Sequence, residues 1–596
     1  MKIPGVHIRK LSLWLTLMVP LLAFAIACGA AEEPAAPAPA APQAPAAAVA
    51  DTAPPTPTPT PVAGQVPVAA PTATFVPTPT PSTGGLTPKR GGTLEVVNSS
   101  FTQTWDMYLE CCPNQFEMIG PMYNNLFVNY EGDLSECEIC SPAGWHLEDE
   151  GKTMVFTLER GIKFHDGKEL TSSDVKYSLD MIMGNIDGLV SPRCGVMKEY
   201  IDSIETPSAY KLVLKLVRPS AFLPKILSVG CGVINPDGVP RDELRDTPHG
   251  SGPYVLKEWI PNVSGEFEAN PNYFKAGLPY MGGITWVRVA DRASRAAAFY
   301  TGKGYKWVGY SPSEFPRLFK MVDEGKAVFF KELCGDGPHG AWMTPKPPFD
   351  ELKVRQAVNL GLDRQSLGTA MYGDLYTPQL LHYCSGQPWG TDESEIWNVE
   401  PGWGTGAKKQ QERDQAMALM KEAGLGDGID IKQFVTNPNP SGVGYTGGIL
   451  ALQDELSKIG IRTELDYATS SQDFVARTSN HDFLVMWYIY YMTTYDPDEI
   501  IGQYWITGGA RNNHAYSNPE VDKKFIDMSA ELDAEKRKGI LFEIQDIILK
   551  QDQGYAPGPT IDRYAFIPSR LKNFKQPRNV YFSSGFMRKD KIWIEQ

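Results

Sequence analysis

The chain has 596 residues, 42% of them hydrophobic, 11% aromatic and 21% charged, and carries a net charge of −14 at neutral pH. That length exceeds what one hydrophobic core can serve, so at least two lobes are expected, and the apolar content suffices for large cores. There is no Lys/Arg block in the body of the chain, and the excess of acid would repel a phosphate backbone; this excludes nucleic acid as a partner and leaves solubility as the plain reason for the charge.

The N-terminus sets the compartment. Lys2, Arg9 and Lys10 precede an apolar run from Leu11 to Ala27, the charged and apolar regions of a secretory signal. Pro20 interrupts a run already short for crossing about 30 Å of hydrocarbon, which argues against a transmembrane anchor. The run closes on Ala25-Ile26-Ala27-Cys28. This is similar to the recognition box of bacterial lipoprotein signal peptidase, with Ala25 where Leu is usual. The resemblance implies a signal peptide over 1–28 and a lipidated Cys28 that anchors an extracytoplasmic protein to the cell membrane. Residues 29–88 are Ala/Pro-rich and then Pro-Thr repeats such as Thr56-Pro57-Thr58-Pro59. Such a segment holds too few large apolar residues to offset its chain entropy, so an extended, disordered stalk is expected.

Apart from Cys28 there are eight cysteines: Cys111, Cys112, Cys137, Cys140, Cys194, Cys231, Cys334 and Cys384. An even number in an exported chain favours disulfides. The alternative is a zinc site built from Cys111-Cys112 and Cys137-x-x-Cys140, for which the adjacent pair is poor spacing. The expected pairing joins Cys111/Cys112 to Cys137/Cys140, with the other four pairing among themselves.

From Lys89 onward the pattern is α/β. Thr93–Val97, Thr153–Leu158 and Leu212–Val217 read as strands, the latter two half-buried by their period of two. Thr171-x-x-Asp174 predicts a capping box ahead of a helix carrying Val175, Leu179 and Ile182. Ile449, Leu452, Leu456 and Ile459 recur at helical spacing, Gly460 stops the helix, and Ile461–Leu465 resumes as a strand. Asn518-Pro519 predicts a cap with Pro at the first helical position, backed by a buried stripe of Val521, Phe525, Met528 and Leu532.

Many ordered motifs from about residue 88 to the end resemble the family 5 extracellular solute-binding proteins, the oligopeptide, dipeptide and nickel receptors of ABC importers. They include Lys89-Arg90-Gly91-Gly92-Thr93-Leu94; Phe156 to Gly167 with Leu170-Thr171-Ser172-Ser173-Asp174-Val175; and Gly250-Ser251-Gly252-Pro253-Tyr254. Phe349-Asp350, Val354 to Val358, Leu362-Asp363-Arg364, Asp496-Pro497-Asp498 and Asn518 to Asp522 continue the series. Thr301-Gly302-Lys303-Gly304-Tyr305 departs from the family's acidic motif, and the Cys111 to Cys140 region is a local elaboration. The resemblance implies a two-lobed periplasmic-binding-protein-like α/β fold of type II, with an extra subdomain in lobe I and the ligand cleft between lobes. Its implied division is lobe I over 89–130, a subdomain over 131–248, lobe I again over 249–340, lobe II over 341–560 and a return to lobe I over 561–596. It also implies a monomer that hands a small-molecule ligand to an ABC permease with cytoplasmic ATPases.

Catalytic signatures are absent: no G-x-S-x-G elbow, P-loop, H-E-x-x-H or Rossmann glycine set. No cofactor or metal is expected. His165 reads as a structural hydrogen-bonding group and Asp496-Pro497-Asp498 as a turn and helix cap. The segment Trp487 to Tyr495 is unusually aromatic, and in a strand its alternate residues face opposite sides. Flat aromatic walls suit stacking on rings, sugars or apolar side chains. In the family this segment borders the cleft, so Trp487, Tyr488, Tyr490 and Tyr491 are candidate ligand contacts, with Trp105, Trp342 and Trp389 as further ones. Peptide-binding members hold the ligand ammonium with an Asp four residues before the Pro of Asp496-Pro497, and here Thr493 takes that place. A hydroxyl does not offset desolvation of an ammonium, so poor binding of free peptide N-termini is expected, and a neutral or weakly charged ligand with a flat face, such as an oligosaccharide or a modified or aromatic small molecule, is expected in their place. A secreted glycan or peptide hydrolase and a receptor that scavenges without transport are the alternative readings.

Overall fold

In the computed structural model, the described residues are 87–99, 101–108, 113–129, 136–191, 194–309, 312–332, 339–373, 375–436, 443–489, 494, 496–574 and 588–595. The signal segment, the expected stalk before residue 87, Cys28, Tyr490, Tyr491 and Thr493 lie outside them.

Four sheets organise the fold. The first runs in the order Thr93–Asn98, Gly283–Arg288, Ser264–Ala269, Tyr254–Ile260, with the first two strands parallel and the rest antiparallel. A second, wholly antiparallel sheet orders Cys140–Glu148, Thr153–Leu158, Lys211–Leu216 and Ile201–Ser208. These two share one hydrophobic core, which joins Leu94, Val96, Ile284 and Trp286 to Phe156, Leu158, Leu212 and Leu214. This is the first lobe.

The second lobe is built on a five-stranded mixed sheet, Ile461–Tyr467, Ile429–Val435, Val485–Ile489, His339–Met343, Tyr555–Pro557. The first three strands are parallel, and His339–Met343 is antiparallel to both its neighbours. Because side chains alternate along a strand, the sheet carries a separate core on each face. Ile431, Val485, Trp487, Ile489 and Ala341 face one core, and Phe434, Met486, Trp342 and Tyr555 face the other. A three-stranded sheet of Trp307–Gly309, Arg563–Pro568 and Ala327–Glu332 completes the set. The C-terminal segment then returns to the first lobe. Arg588 pairs with buried Glu138 and donates to the Tyr123 carbonyl (2.9 Å), and Lys589 donates to the Glu117 carbonyl (3.2 Å).

Local signals act where the sequence places them. The Thr171 amide donates to the Asp174 carboxylate (2.7 Å) at the start of helix Ser172–Ile182. Gly460, at φ +86°, ends the turn after helix Val443–Ser457 and opens strand Ile461–Tyr467. Asn518 caps helix Pro519–Ala530 by accepting from the Glu520 amide (2.9 Å). Val521, Phe525 and Met528 are buried as expected, but Leu532 is not. The helix stops at Ala530 because Asp533 caps a new helix, Ala534–Asp546, and accepts from the Lys536 amide (3.0 Å).

The cysteines correct one expectation. Cys137 is bonded to Cys140, not to the Cys111/Cys112 pair. The turn between them sends Glu138 and Ile139 inward, Glu138 to Arg588 and Lys275, so the two flanking thiols are left 5.5 Å apart at Cα. Two thiols joined to each other cannot serve as zinc thiolates. Cys194 is bonded to Cys231 and Cys384 is also disulfide-bonded, while Cys111, Cys112 and Cys334 lie outside the described residues.

Candidate ligand cleft

In an open α/β sheet, ligands bind beyond the carboxyl ends of the parallel strands. Here those ends are Val435, Tyr467 and Ile489, and the chain leaving Ile489 runs to Asp496-Pro497-Asp498. Asp496 caps the short helix Pro497–Ile500 and accepts from the Asp498 amide (3.1 Å), as the turn-and-cap reading expects.

Both carboxylates are fully buried, and they share one guanidinium. Arg537 donates to Asp496 (2.8 Å from Nη1) and also pairs with Asp498. Burial would raise the Asp496 carboxyl, but Arg537 and Lys225 hold it well below the usual carboxylate range. Asp498 stays raised, by burial against the pull of Arg537 and by the neighbouring charge of Asp496.

The first lobe meets this group directly. Lys225 Nζ lies 3.0 Å from Asp496, the Tyr200 hydroxyl donates to Asp498 (3.0 Å), and Arg218 donates to Ser529 (3.3 Å), which itself donates to Asp498 (2.7 Å). Trp389 lies beneath both cations, 5.5 Å from Lys225 and 5.4 Å from Arg537. The lobes are therefore joined by charged and hydrogen-bonded contacts at the mouth of the sheet. Such contacts re-form readily when lobes open and close, whereas a continuous apolar interface would resist separation.

Beside this junction lies a polar and aromatic bank. Half-buried Tyr488 packs 5.1 Å from Phe474, and burial pushes its hydroxyl up to about 12. Tyr504 accepts from Arg511 (2.9 Å), and Glu499 accepts from the Thr494 amide (2.6 Å) and hydroxyl (2.8 Å).

The residues expected from sequence are distributed unevenly. Trp342 and Trp389 share the core on one face of the five-stranded sheet, and Tyr488 packs against it. Trp487 points to the opposite face, stacked on His339 at 6.1 Å. Trp105 belongs to the first-lobe core, edge-on to Trp259 at 5.2 Å. Tyr490, Tyr491 and Thr493 lie outside the described residues. His165 is structural, within hydrogen-bonding distance of the Gly252 carbonyl (3.1 Å). Lys225, Tyr200 and Arg511 were not anticipated. Arg511 alone had a signal, as a single cation in the turn-rich run Gly508 to Asn513.

A concavity of about 790 Å³ opens along strands Ile429–Val435 and Ile461–Tyr467, bordered by Lys346, Ile429, Phe434, Arg462, Asp466 and Phe483. Among the described residues no cluster of three or more His, Cys, Asp or Glu is placed to hold a metal ion.

Two lobes with separate cores, meeting through a charged junction at the carboxyl edge of a sheet, define a solute receptor of the periplasmic-binding-protein class. The chain belongs to the bacterial extracellular solute-binding proteins, family 5, whose model matches residues 143–512. It is 25% identical over 427 residues to the glutathione-binding protein GsiB of Salmonella choleraesuis, covering 68% of this chain and 78% of that protein. It is 26% identical over 458 residues to the oligopeptide-binding protein AppA of Bacillus subtilis, covering 72% and 79%. The fold matches the periplasmic binding protein DppA of Helicobacter pylori in complex with the peptide STSA, with a TM-score of 0.68 and 20% identity, covering 85% of this chain and 99% of that one. The protein is thus an extracytoplasmic substrate-binding component of an ABC transporter, and not an enzyme.

Proposed function

We propose that the protein is tethered to the membrane through lipidated Cys28 and captures a peptide-like or related small organic solute between its lobes for delivery to a permease. The solute has an apolar or flat portion and no free ammonium of the kind a peptide N-terminus carries. The observation that carries this reading is the lobe junction, where Lys225 and Tyr200 reach Asp496 and Asp498 beside Tyr488 and Tyr504. A ligand touching both lobes adds its contacts to these and shifts the population toward closure. Thr493, at the place where peptide-binding members of the family carry Asp, supports the absence of an ammonium, and relatives named for glutathione and oligopeptides support the size class.

Purified protein, once denatured, is expected to release a small organic solute that is chemically unaltered and that raises the melting temperature when added back. Protein that releases nothing and melts unchanged across peptides, N-acylated peptides and oligosaccharides would overturn the binding role. For the anchor, Cys28→Ser is expected to move the protein from the membrane to the soluble fraction. Retention on membranes after a high-salt wash refutes lipid attachment at that residue.

A further inference from the structure

Arg511 is firmly positioned but barely bonded. Its loop is pinned on all sides: the Arg511 amide donates to the Gln503 carbonyl (2.9 Å), and the Asn512 amide donates to the Gly509 carbonyl (3.0 Å). The Asn512 side chain donates to the carbonyls of Ile506 (2.9 Å) and Tyr516 (2.6 Å), and its oxygen accepts from the Tyr516 amide (2.9 Å). The guanidinium is half-buried, yet among the described residues it donates a single hydrogen bond, to the Tyr504 hydroxyl (2.9 Å), and no carboxylate comes within ion-pair distance.

Other buried guanidinium groups in this protein are treated differently. Arg537, Arg588 and Arg563 each pair with a buried carboxylate, and Arg364 fills its fork with the carbonyls of Pro557, Asn359 and Gly402. A guanidinium has five donors in a fixed plane. The Arg511 nitrogens that lack a protein acceptor are not buried, so they face solvent and stay open to an acceptor that a solute brings. The place itself is the ligand side of the fold. Tyr504 and Tyr488, which flank Arg511, sit beyond or at the end of strand Val485–Ile489, next to the helix that carries the lobe-junction carboxylates. Glu499 also acts electrostatically on Arg511, but its Oε2 is committed to Thr494.

We infer that Arg511 receives a carboxylate of the solute in a two-pronged contact, with Tyr504 holding the fork in orientation and Tyr488 forming a wall. The inference rests on the solute-binding role proposed above and adds a chemical class: the ligand is an organic acid. Together with the lack of an ammonium partner proposed from Thr493, it describes an N-blocked acid such as an N-acyl peptide. Arg is suited to this task because its planar fork matches a carboxylate, which a lysine ammonium does not.

The test uses the mature protein and matched pairs of N-acetyl di- and tripeptides, as free C-terminal acids and as C-terminal amides, with oligosaccharides as neutral solutes. Titration calorimetry and melting curves are measured on the native chain, on Arg511→Gln and on Arg511→Lys. Acids are expected to bind on the order of tenfold to a hundredfold more tightly than their amides, the range of a charge-assisted pair of hydrogen bonds. Arg511→Gln is expected to erase that preference while leaving weak binding of both forms, and Arg511→Lys to retain part of it. Equal binding of acid and amide by the native protein, or an acid preference that survives in Arg511→Gln, overturns the inference. Binding of neutral oligosaccharides with no response to any acid overturns it too, while leaving the solute-binding role standing. No response to any member of the panel, with no solute released on denaturation, defeats both.

Discussion

Arg537→Ala is expected to destabilise the fold by about 3–5 kcal/mol, the cost of stripping one partner from a buried ion pair and leaving the other charged. The case is stronger than for an ordinary pair because two carboxylates depend on the same guanidinium. Asp496 and Asp498 are both excluded from solvent, and only Pro497 lies between them in the chain. Without Arg537, Asp496 retains Lys225 and Asp498 retains the hydroxyls of Tyr200 and Ser529. Those hydroxyls carry no net charge to offset a second buried anion. Arg537→Lys is expected to recover only part of the loss, since a point charge does not span two carboxylates as a planar fork does. Adding Asp496→Asn and Asp498→Asn to Arg537→Ala removes the orphaned charges and is expected to restore more stability than the lysine does. Urea denaturation followed by tryptophan fluorescence measures all three, and Trp389, beneath the two cations, reports on the site itself. A loss below about 1 kcal/mol for Arg537→Ala, the size typical of an exposed pair, would show that the group does not brace the lobe junction.

What the sequence makes legible here is whatever is decided over a few residues. A Thr and an Asp three apart make a cap whatever surrounds them, and the strand from Val485 alternates its faces as a period of two demands. Leu532 fails for an equally local reason, since the capping carboxylate of Asp533 competes with the helical stripe and wins. The expected pairing of Cys137 and Cys140 with Cys111 and Cys112 failed because spacing alone does not say that Glu138 and Ile139 turn inward and bring Cys137 against Cys140, whereas Cys194 and Cys231 do pair within the other four. The candidate site is legible only in part. Sequence marks an aromatic stretch, but whether Trp487 or Tyr488 faces the ligand side depends on which face of the sheet lies beneath helix Val443–Ser457. Gly448 on that helix settles it, because its missing Cβ is what lets the Trp487 ring pack there. The lobe junction was illegible altogether. Tyr200 and Asp498 are 298 residues apart, and no periodicity or spacing links a tyrosine in one lobe to a carboxylate in the other.

Acid is expected to weaken the second lobe at a pH well above that at which carboxylates ordinarily titrate, because two histidines are buried neutral. His382 stacks on Trp342 at 5.4 Å, and His514 sits edge-on between Trp342 and Trp505, 4.7 Å from each. Burial pushes both imidazoles down from 6.5 to about 3, and for His514 the nearby His382 and His481 push the same way. Neither nitrogen of His514 has a hydrogen-bond partner among the described residues, so nothing is in place to stabilise an added proton. In the unfolded chain each imidazole takes up its proton as pH falls through 6.5, while the folded chain stays unprotonated down to about 3. The unfolded state therefore binds more protons across that window, and stability falls as pH falls. The contribution is fully present above pH 6.5 and is lost progressively toward pH 3, at about 1.4 kcal/mol per pH unit for each histidine. His514→Phe keeps an aromatic ring between the two tryptophans and removes one titrating group, so it is expected to lower the slope of stability against pH by about 1.4 kcal/mol per pH unit between 6 and about 4.5, the span lying above the usual carboxylate range. Urea midpoints of the two proteins, measured at half-unit steps of pH, make the comparison, and differences with respect to the native chain cancel the titration of Asp498 and Asp590, which burial raises. Parallel curves for His514→Phe and the native chain would mean that His514 takes its proton in the folded state, and that the aromatic core of this lobe admits water.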